Sequence, residues 1–398
     1  MKKILTVINQ YDPLNSGAEN IAKCIVQDTN DNEFSNDVLT VASERIQKIA
    51  QRELPYKEKK DGLYNIYRFK MARLFGKEKN GFFFQYITFL KYIYYTLKIG
   101  KNYDIIHAHT YYAPAASAII AAKILGKPVI VTGHSRLTEL EREVRETNRP
   151  GFFFTILKKS DFYISISKKI KQEALQLCNI PEEKNILIYN GIDTARFSPC
   201  KNYQEKKELR IKLDLPLDQT VIVYHGRLNN HAKNISMLLS AVSKVINEKK
   251  ISLFLVLVGD GPDKEEFVQF CKDAGIENNI LFSGYQNNIH EYLKAADYHC
   301  LPSNFEGLPL ALLEAMSTGL ICIASKIPGN TDIIQDGVNG FLFNIESEQE
   351  LVSTLLKAIK DYGNNQTSGM RDKAIQTIKK KFSLDTMIEN YKNIYKTF

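Results

Sequence analysis

The sequence has no cysteine pair at C-x-x-C spacing and no cluster of residues with the spacing of a metal site. Its six cysteines are far apart, at positions 24, 178, 200, 271, 300 and 322. Scattered cysteines are typical of a reducing cytosol, where they pack as small buried hydrophobic side chains. The pattern therefore predicts a cytoplasmic protein with no metal centre.

Long apolar runs are missing as well. The apolar run Ile4–Ile8 stops at Asn9, which is too short for a signal peptide, and no cleavage site follows it. The best candidate for a membrane span, residues 82–99, contains one glutamine and two lysines. We therefore expect neither a signal peptide nor a membrane span, and the sequence also lacks internal repeats and low-complexity tracts.

The chain has 398 residues, of which 44% are hydrophobic and 25% charged, as in a soluble globular protein of two domains. Its net charge of +8 is distributed unevenly. Residues 1–200 contain 30 Lys and Arg against 21 Asp and Glu, whereas residues 201–398 contain 23 against 24. This asymmetry favours an anionic partner for the N-terminal half, although a solvated basic face without a partner is the alternative.

Short apolar runs alternate with longer helical patterns along the chain, which predicts two doubly wound α/β domains. The predicted strands are Ile4–Ile8, Val38–Val41, Ile105–Ala108, Val129–Thr132, Tyr163–Ile166, Ile186–Tyr189, Val221–His225, Leu253–Val258, Ile280–Phe282, Tyr298–Leu301, Ile321–Ala324 and Phe341–Phe343. The segment 190–210 interrupts this alternation, and we place the domain boundary within it, giving domains 1–198 and 199–383. Ligands of such sheets bind at the carboxyl ends of the strands.

An acidic residue at each end of the segment Glu306–Glu314 is the most informative motif. Pro309 suits the first position of a helix, so the N–H groups of Gly307 and Leu308 would be free to bind a phosphate. The two carboxylates are expected about 8–12 Å apart. This is wider than the ~5 Å pair of a retaining glycosidase and suits a long ligand bound by an acid at each end.

A pair of cations, Arg227 and Lys233, follows the strand Val221–His225. In a loop between a strand and a helix, a planar guanidinium and an ammonium can converge on one diphosphate. They could also be ordinary surface residues, and the downstream acids are the reason to prefer the binding interpretation.

The order of these motifs resembles that of retaining glycosyltransferases of the GT-B type, family 4, over essentially the whole chain. The resemblance implies two Rossmann-like domains facing across a cleft, with the final helix, 384–398, packing on the first domain. It also implies metal-free transfer of a hexose or N-acetylhexosamine from a nucleotide-sugar, with UDP the expected nucleotide. The acceptor would be lipid-linked or a saccharide, in cell-surface glycan biosynthesis.

The resemblance also implies a role for each motif residue. Arg227 and Lys233 would bind the diphosphate, helped by the backbone of Gly307 and Leu308. Glu314 would accept the ribose hydroxyls and Glu306 the sugar hydroxyls. Fixed cations would replace a metal ion at the leaving group, and the leaving phosphate would act as the base for the acceptor hydroxyl.

Further residues match the family in part. Gly17 follows the first strand, although Ser16 replaces the neighbouring glycine that the family usually has. His134 matches a histidine that contacts the donor sugar. His109 is predicted to contact the acceptor, whereas His107 is predicted to be a core residue.

Two glycine turns match the donor side of the family. Gly259 lines the nucleotide site in the family, although Asp-Gly and Gly-Pro are also ordinary turn dipeptides. Tyr285 follows Gly284 at the point where the family's backbone contacts the nucleotide base. Pro328 replaces a glycine of the family's loop on the acceptor side, so this loop does not predict the sugar.

The basic excess of the N-terminal half lies in residues 57–101, interleaved with aromatic residues. This composition suits an anionic membrane surface, most of all for 57–79, and predicts a peripheral location at its inner face. For 82–99 a helix buried on most sides is the preferred alternative. No recognition motif for nucleic acid accompanies these residues.

Three other functions remain open from the sequence. The first is a GT-B nucleotide-sugar epimerase, and the second is a transferase with a small soluble acceptor. The third is a binding or scaffold protein, which is disfavoured because burying the charged residues without a ligand would be costly.

Overall fold

The computed structural model describes residues 1–12, 17–71, 73–74, 77–78, 82–110, 112–135, 137, 150–360 and 365–398. The chain forms two compact units, Met1–Asn190 with Asp385–Phe398 and Gly191–Leu384. Each unit contains a largely parallel sheet with helices in the connections between its strands. The predicted α/β class with two doubly wound domains is therefore confirmed.

The first unit contains ten strands and seven helices in its described part. The strands are β1 (Lys2–Val7), β2 (Phe34–Ala42), β3 (Lys57–Lys60), β4 (Tyr64–Lys70), β5 (Arg73–Leu74), β6 (Lys77–Glu78), β7 (Ile105–His109), β8 (Val129–Gly133), β9 (Phe162–Ser165) and β10 (Asn185–Leu187). The helices are α1 (Gly17–Asp28), α2 (Glu44–Ala50), α3 (Phe82–Gly100), α4 (Tyr112–Leu125), α5 (Pro150–Leu157), α6 (Lys168–Cys178) and the C-terminal helix α16 (Leu384–Lys396).

The main sheet of this unit has the strand order β10-β9-β8-β7-β1-β2-β4-β3. All its neighbours are parallel except β3 and β4, which form an antiparallel pair at one edge. The central strands β1, β7 and β8 are almost fully buried, as parallel strands covered by helices on both faces should be. Strands β3 to β6 were not predicted from the sequence.

The second unit contains six strands and nine helices in its described part. The strands are β11 (Thr220–His225), β12 (Leu253–Val258), β13 (Ile280–Gly284), β14 (Tyr298–Leu301), β15 (Ile321–Ser325) and β16 (Phe341–Phe343). The helices are α7 (Tyr203–Lys212), α8 (Asn230–Lys233), α9 (Ile235–Asn247), α10 (Lys264–Asp273), α11 (Ile289–Ala295), α12 (Leu310–Ser317), α13 (Asn330–Ile333), α14 (Glu348–Lys360) and α15 (Asn365–Lys381). The sheet order is β13-β12-β11-β14-β15-β16, all parallel.

The first unit ends at Asn190, whereas the boundary was predicted after residue 198. Residues just after Asn190 are held within the second unit. Ile192 forms a parallel bridge with Ser383, and Ser317 Oγ donates to the carbonyl of Phe197 at 2.6 Å. These contacts explain why the segment folds with the second unit.

The C-terminal helix α16 packs within the first unit. Its Tyr391 and Tyr395 are fully buried, and Tyr395 makes an edge-to-face contact with Phe34. Lys392 forms an ion pair with Asp31 at 2.7 Å. No helix in the described ranges combines the length and the hydrophobicity that a membrane crossing needs.

Candidate functional site

In the second unit, glycines support the loop that follows β11. Gly259 N–H donates to Gly284 O at 2.8 Å, and Gly259 has a φ of +145°. A Cβ atom at Gly259 would lie 1.9 Å from Gly226 O, and one at Gly261 would lie 2.1 Å from Leu228 O. The turn after β12 therefore packs directly against the backbone of the β11 loop. This close packing supports a structural role for the turn.

The two predicted diphosphate cations differ in their partners. Arg227 is exposed, and its guanidinium has no acidic partner among the described residues. Lys233 Nζ, at the end of α8, lies 2.6 Å from Glu306 Oε1. Ser303 Oγ donates to the same oxygen at 2.7 Å. One cation is thus available to an anion, while the other is neutralised by the acid predicted to bind the sugar.

The loop before α12 is fastened to α8 by contacts other than this ion pair. Asn304 N–H donates to Ala232 O at 2.9 Å, and Asn304 Nδ2 donates to His231 O at 2.8 Å. The rings of His231 and Phe305 are in edge-to-face contact at 5.5 Å. These bonds fix the relative positions of the loops that carry Lys233 and Glu306.

The helix after this loop begins one residue later than predicted. Helix α12 starts at Leu310, and Pro309 is its N-cap with extended backbone (φ −75°, ψ 111°). Proline still fits, because an N-cap residue needs no intrahelical N–H bond. The N–H groups of Gly307 and Leu308 donate to no group in the described ranges, which leaves them available to a ligand.

The loop on the predicted acceptor side, which contains Gly329, packs against the backbone of Glu306 and Gly307. Gly329 has a φ of +92°, and a Cβ atom there would lie 3.0 Å from Gly307 O and 3.1 Å from Glu306 O. The fully buried Asn330 donates to Ser325 O at 2.8 Å. The backbone conformation therefore favours glycine at position 329, where the space for a Cβ atom is also tight.

Glu314, on α12, has a partner that sequence reasoning missed. His225 Nε2 lies 2.8 Å from Glu314 Oε2, and His225 is only 6% exposed. Beneath it lies His299 of β14, at 5.1 Å between ring centroids. His299 is fully buried, and burial, followed by the nearby His225, holds its pKa well below the usual range. The sequence signal that could have identified His225 is its position at the end of a strand, directly before Gly226, where ligands of parallel sheets bind.

Two predicted donor contacts occupy exposed positions. Tyr285 is 64% exposed and follows Gly284, whose φ is +71°. Gly17 is the exposed first residue of α1, in the other unit. The preceding residues Asn15 and Ser16 lie outside the described residues.

In the first unit, His107 is a core residue, as expected. Its Nδ1 is 2.8 Å from the hydroxyl of Tyr395, and its Nε2 is 2.8 Å from Thr132 Oγ1. Tyr391 shares the same threonine hydroxyl at 3.2 Å. Burial, and secondarily His134, lower the pKa of His107 to about 3, so it is neutral at physiological pH.

His109 and His134 form a hydrogen-bonded pair, with His109 Nδ1 3.0 Å from His134 Nε2. Burial lowers the pKa of His134 to about 4 and that of His109 well below its usual range. Both rings are therefore neutral, and one donates to the other. His109 has no exposed surface, so the predicted acceptor contact of this side chain is not supported. A role in orienting His134 fits its position better.

Metal ligands are not clustered in the described ranges. No group of three or more His, Cys, Asp or Glu side chains there could hold a metal ion. Arg227 and Lys233, in the loop and helix that follow β11, supply positive charge at the ends of the second sheet's strands.

The basic segment 57–101 is only partly available to a partner. Arg68 is buried and forms an ion pair with Glu58 at 2.6 Å, and Lys60 pairs with Asp12 at 3.1 Å. Both ion pairs lie within the first unit, so the buried Arg68 is not available to a membrane surface, and the membrane contact of segment 57–79 stays a prediction. Lys79 lies outside the described residues.

Helix α3, within this segment, has two contrasting faces. One face buries Thr88, Tyr92 and Thr96. The expectation of a helix buried on most sides is only half right, because the opposite face exposes large side chains at helical spacing. These are Tyr86 (52% exposed), Leu90 (45%) and Tyr94 (56%).

Comparison with known protein families gives two matches that cover most of the chain. Residues 30–196 match the family model described as Glycosyltransferase Family 4. Residues 205–381 match the model described as Glycosyl transferases group 1.

Two characterised relatives are similar over about three quarters of both chains. The N-acetyl-alpha-D-glucosaminyl L-malate synthase of Bacillus anthracis is 28% identical over 298 residues, covering 74% of this chain and 75% of its own. The UDP-Gal:alpha-D-GlcNAc-diphosphoundecaprenol alpha-1,3-galactosyltransferase of Escherichia coli is 29% identical over 307 residues, covering 76% and 77%.

Solved structures agree on the fold. Anabaena HepE in complex with UDP superimposes with a TM-score of 0.78 at 20% identity, over the whole of both chains. WaaG, a glycosyltransferase of lipopolysaccharide biosynthesis, gives a TM-score of 0.74 at 14% identity over 98% of this chain and 99% of its own. The predicted GT-B fold is therefore confirmed.

Proposed function

The chain belongs to glycosyltransferase family 4, and we propose that it transfers a hexose or N-acetylhexosamine from a UDP-sugar with retention of configuration and without a metal ion. The observation that carries this proposal is the set Arg227, Lys233, Glu306 and Glu314, which occupies the loops and helix that follow β11 and β14 of one sheet. The UDP complex of the structurally similar HepE supports the choice of nucleotide.

The donor's diphosphate binds to Arg227 and Lys233 in this proposal. Arg227 has no acidic partner in the described part of the chain, so its full charge faces the ligand. Lys233 now pairs with Glu306 at 2.6 Å, and a diphosphate competes for it. The displaced carboxylate of Glu306 then accepts hydrogen bonds from sugar hydroxyls, while the N–H groups of Gly307 and Leu308 add donors for phosphate oxygens.

Bond cleavage increases the negative charge of the diphosphate leaving group. The fixed cations stabilise that charge most in the transition state, which is the role that a metal ion has in other transferases. The leaving phosphate accepts the proton of the attacking acceptor hydroxyl on the same face of the sugar, which retains the configuration. In this mechanism the contact of His134 with the donor sugar remains a prediction.

The acceptor in our proposal is a lipid-linked saccharide, used at the cytoplasmic face of a membrane in glycan biosynthesis. The Escherichia coli relative, whose name specifies a diphosphoundecaprenol-linked acceptor, supports this choice. The Bacillus anthracis relative, an N-acetyl-alpha-D-glucosaminyl L-malate synthase by name, supports a small soluble acceptor as the second candidate. Incubation of the enzyme and UDP-sugars with each acceptor class distinguishes the two by the product formed.

The donor assignment is tested by isothermal titration with UDP. Arg227→Ala and Lys233→Ala should each weaken binding by roughly thirtyfold or more, because each removes one charged partner of the diphosphate, worth ~2–5 kcal/mol. Lys244→Ala is the matched control, because Lys244 also pairs with a glutamate, Glu348, at 2.8 Å. Unchanged UDP affinity in both site variants would refute the assignment.

A further inference from the structure

We propose that His225 is a positioning residue that aims the carboxylate of Glu314 at the ribose, and that it thereby sets the preference for ribonucleotide donors. The proposal rests on the donor site proposed above. It assigns a role to a residue that neither binds phosphate nor contacts the sugar.

The geometry provides one hydrogen bond that fixes the carboxylate. His225 Nε2 lies 2.8 Å from Glu314 Oε2, whereas Oε1 accepts no hydrogen bond from the described residues. The terminal torsion of a glutamate is otherwise broad, so an unheld carboxylate would sample many orientations. With Oε2 held, the lone pairs of Oε1 have a fixed direction toward the two neighbouring ribose hydroxyls.

The imidazole itself is held on a rigid element. His225 is the last residue of β11, which pairs with β12 on one side and with β14 on the other. The ring of His299 packs against it at 5.1 Å and an angle of 64°. Glu314, by contrast, lies on α12 with 20% of its side chain exposed, so fewer contacts hold its carboxylate in place.

The surroundings also select the tautomer of His225. Its Nδ1 has no hydrogen-bond partner in the described structure, and neither has either ring nitrogen of His299. Because a carboxylate can only accept, Nε2 of His225 must carry the proton that is donated to Glu314. His299 offers no competing hydrogen bond, and its ring only packs against that of His225.

The readout is the ratio of two dissociation constants, that of 2′,3′-dideoxy-UDP over that of UDP, measured by isothermal titration. In the wild type this ratio measures how much the two ribose hydroxyls contribute to the affinity for UDP. His225→Leu should lower the ratio about tenfold, the usual effect of a hydrogen bond to a charged group, while dideoxy-UDP affinity changes little. His225→Gln retains an N–H donor and should restore most of the ratio.

Two further variants separate positioning from packing. His299→Leu removes the neighbouring buried ring but no contact with Glu314, so it should keep the wild-type ratio. In a Glu314→Ala background, His225→Leu should have no further effect on the ratio, because no side chain remains for His225 to position. If His225→Leu does not fold, His225→Asn, which is polar but too short to reach Glu314, replaces it with the same expectation.

The outcomes distinguish this proposal from the one it rests on. UDP binding with an unchanged ratio in the His225 variants would overturn the positioning role alone. An equal fall of the ratio in His299→Leu would do the same, since packing would then explain the effect. Failure of the wild type to bind UDP would overturn the donor site and the positioning role together.

Discussion

At the scale of single residues, the two glutamates of the site differ in their partners rather than in their chemistry. Glu306 accepts from Lys233 Nζ at 2.6 Å and Ser303 Oγ at 2.7 Å, whereas Glu314 faces the imidazole of His225. The first is therefore coupled to the charge of the diphosphate site, and the second is not. This difference makes their substitutions distinguishable.

Glu314→Gln should weaken the binding of UDP and of UDP-sugar to a similar extent, because both ligands contain the ribose. Glu306→Gln should leave UDP affinity the same or higher, since it releases Lys233, but should reduce turnover of the sugar donor. Titration with UDP and a steady-state transferase assay measure the two effects. Glu348→Gln is a matched control, because Glu348 also accepts from a lysine and a serine, Lys244 and Ser240. Equal losses of UDP affinity in both site variants would contradict this division.

Asp297 illustrates a residue whose charge serves stability. It is 6% exposed and accepts from Arg210 at 2.7 Å, Lys206 at 2.5 Å and the N–H of Val221 at 2.8 Å. Burial alone would raise the pKa of Asp297, but Lys206 and Arg210 outweigh it, and the pKa is lowered. A lowered folded-state pKa stabilises the protein above the unfolded value of about 3.9, and this stabilisation is lost as the pH falls through the folded pKa.

Asp297→Asn should therefore lower the free energy of unfolding at pH 7 by ~3–5 kcal/mol, the usual effect of breaking a buried ion pair. The difference from the wild type should narrow as the pH falls below the unfolded value of about 3.9 and through the lower folded-state pKa of Asp297, where the wild-type carboxyl becomes protonated. Urea unfolding at several pH values measures this. Glu53→Gln removes the exposed pair of Glu53 with Lys70 and should change stability by less than about 1 kcal/mol. A difference independent of pH would refute the electrostatic explanation.

At the scale of elements, the position of the site depends on the glycine turn after β12. Gly259→Ala should destabilise the protein and weaken UDP binding, because its Cβ would lie 1.9 Å from Gly226 O and displace the backbone next to Arg227. Gly275→Ala is the control, since Gly275 also has a positive φ, +64°, but nothing within 4 Å of its Cβ position. Gly275→Ala should lower the free energy of unfolding by only ~1–2 kcal/mol, the cost of placing an alanine in the left-handed conformation.

Thermal unfolding and UDP titration of the two alanine variants test this role. A greater loss of stability in Gly259→Ala, together with a loss of UDP affinity confined to it, is the expected result. Equal losses in both variants would mean that backbone conformation, rather than the close approach to Gly226, explains the requirement for glycine.

The elements that the sequence predicted are those with a local signal. All twelve predicted strands are present, and Leu253–Val258, Tyr298–Leu301 and Phe341–Phe343 have the predicted bounds. Strand β3 at the sheet edge was missed because it consists of charged residues only. Strand β4 was missed because aromatic and charged residues alternate over its last four positions. The bond between His225 and Glu314 joins residues 89 positions apart, and no local pattern encodes such a contact.

At the scale of the whole molecule, the basic excess of the first half remains the feature that points to a membrane. Within the segment 57–79, for which membrane contact is predicted, Arg68 and Lys60 are engaged in ion pairs. Lys57 and Lys59 stay exposed on one face of β3. A series of contacts leads from Lys57 over the rings of Tyr67, Tyr56, Tyr95 and Tyr94 to Lys98.

This surface combines cations with the exposed Tyr86, Leu90 and Tyr94 of α3, and amphipathic faces of this kind bind anionic bilayers. We expect the protein to sediment with vesicles that contain anionic lipid at low salt and to be released as salt shortens the Debye length from about 10 Å at 0.1 M. Replacing Lys57, Lys59 and Lys98 by glutamine should weaken binding roughly a hundredfold, at ~1 kcal/mol for each cation.

The triple replacement of Lys379, Lys380 and Lys381, which are exposed at the end of α15 in the second unit, is the charge-matched control. The control removes an equal number of positive charges from a different surface. It should leave vesicle binding unchanged, because the attraction depends on where the cations lie rather than on net charge. Replacing Tyr86, Leu90 and Tyr94 by serine should weaken binding even at low salt, since the apolar contribution is not screened. Equal losses in the two lysine variants, or equal sedimentation with neutral and anionic vesicles, would refute an electrostatic contact of this surface with an anionic membrane. No sedimentation with either kind of vesicle would refute the membrane contact and favour a soluble acceptor.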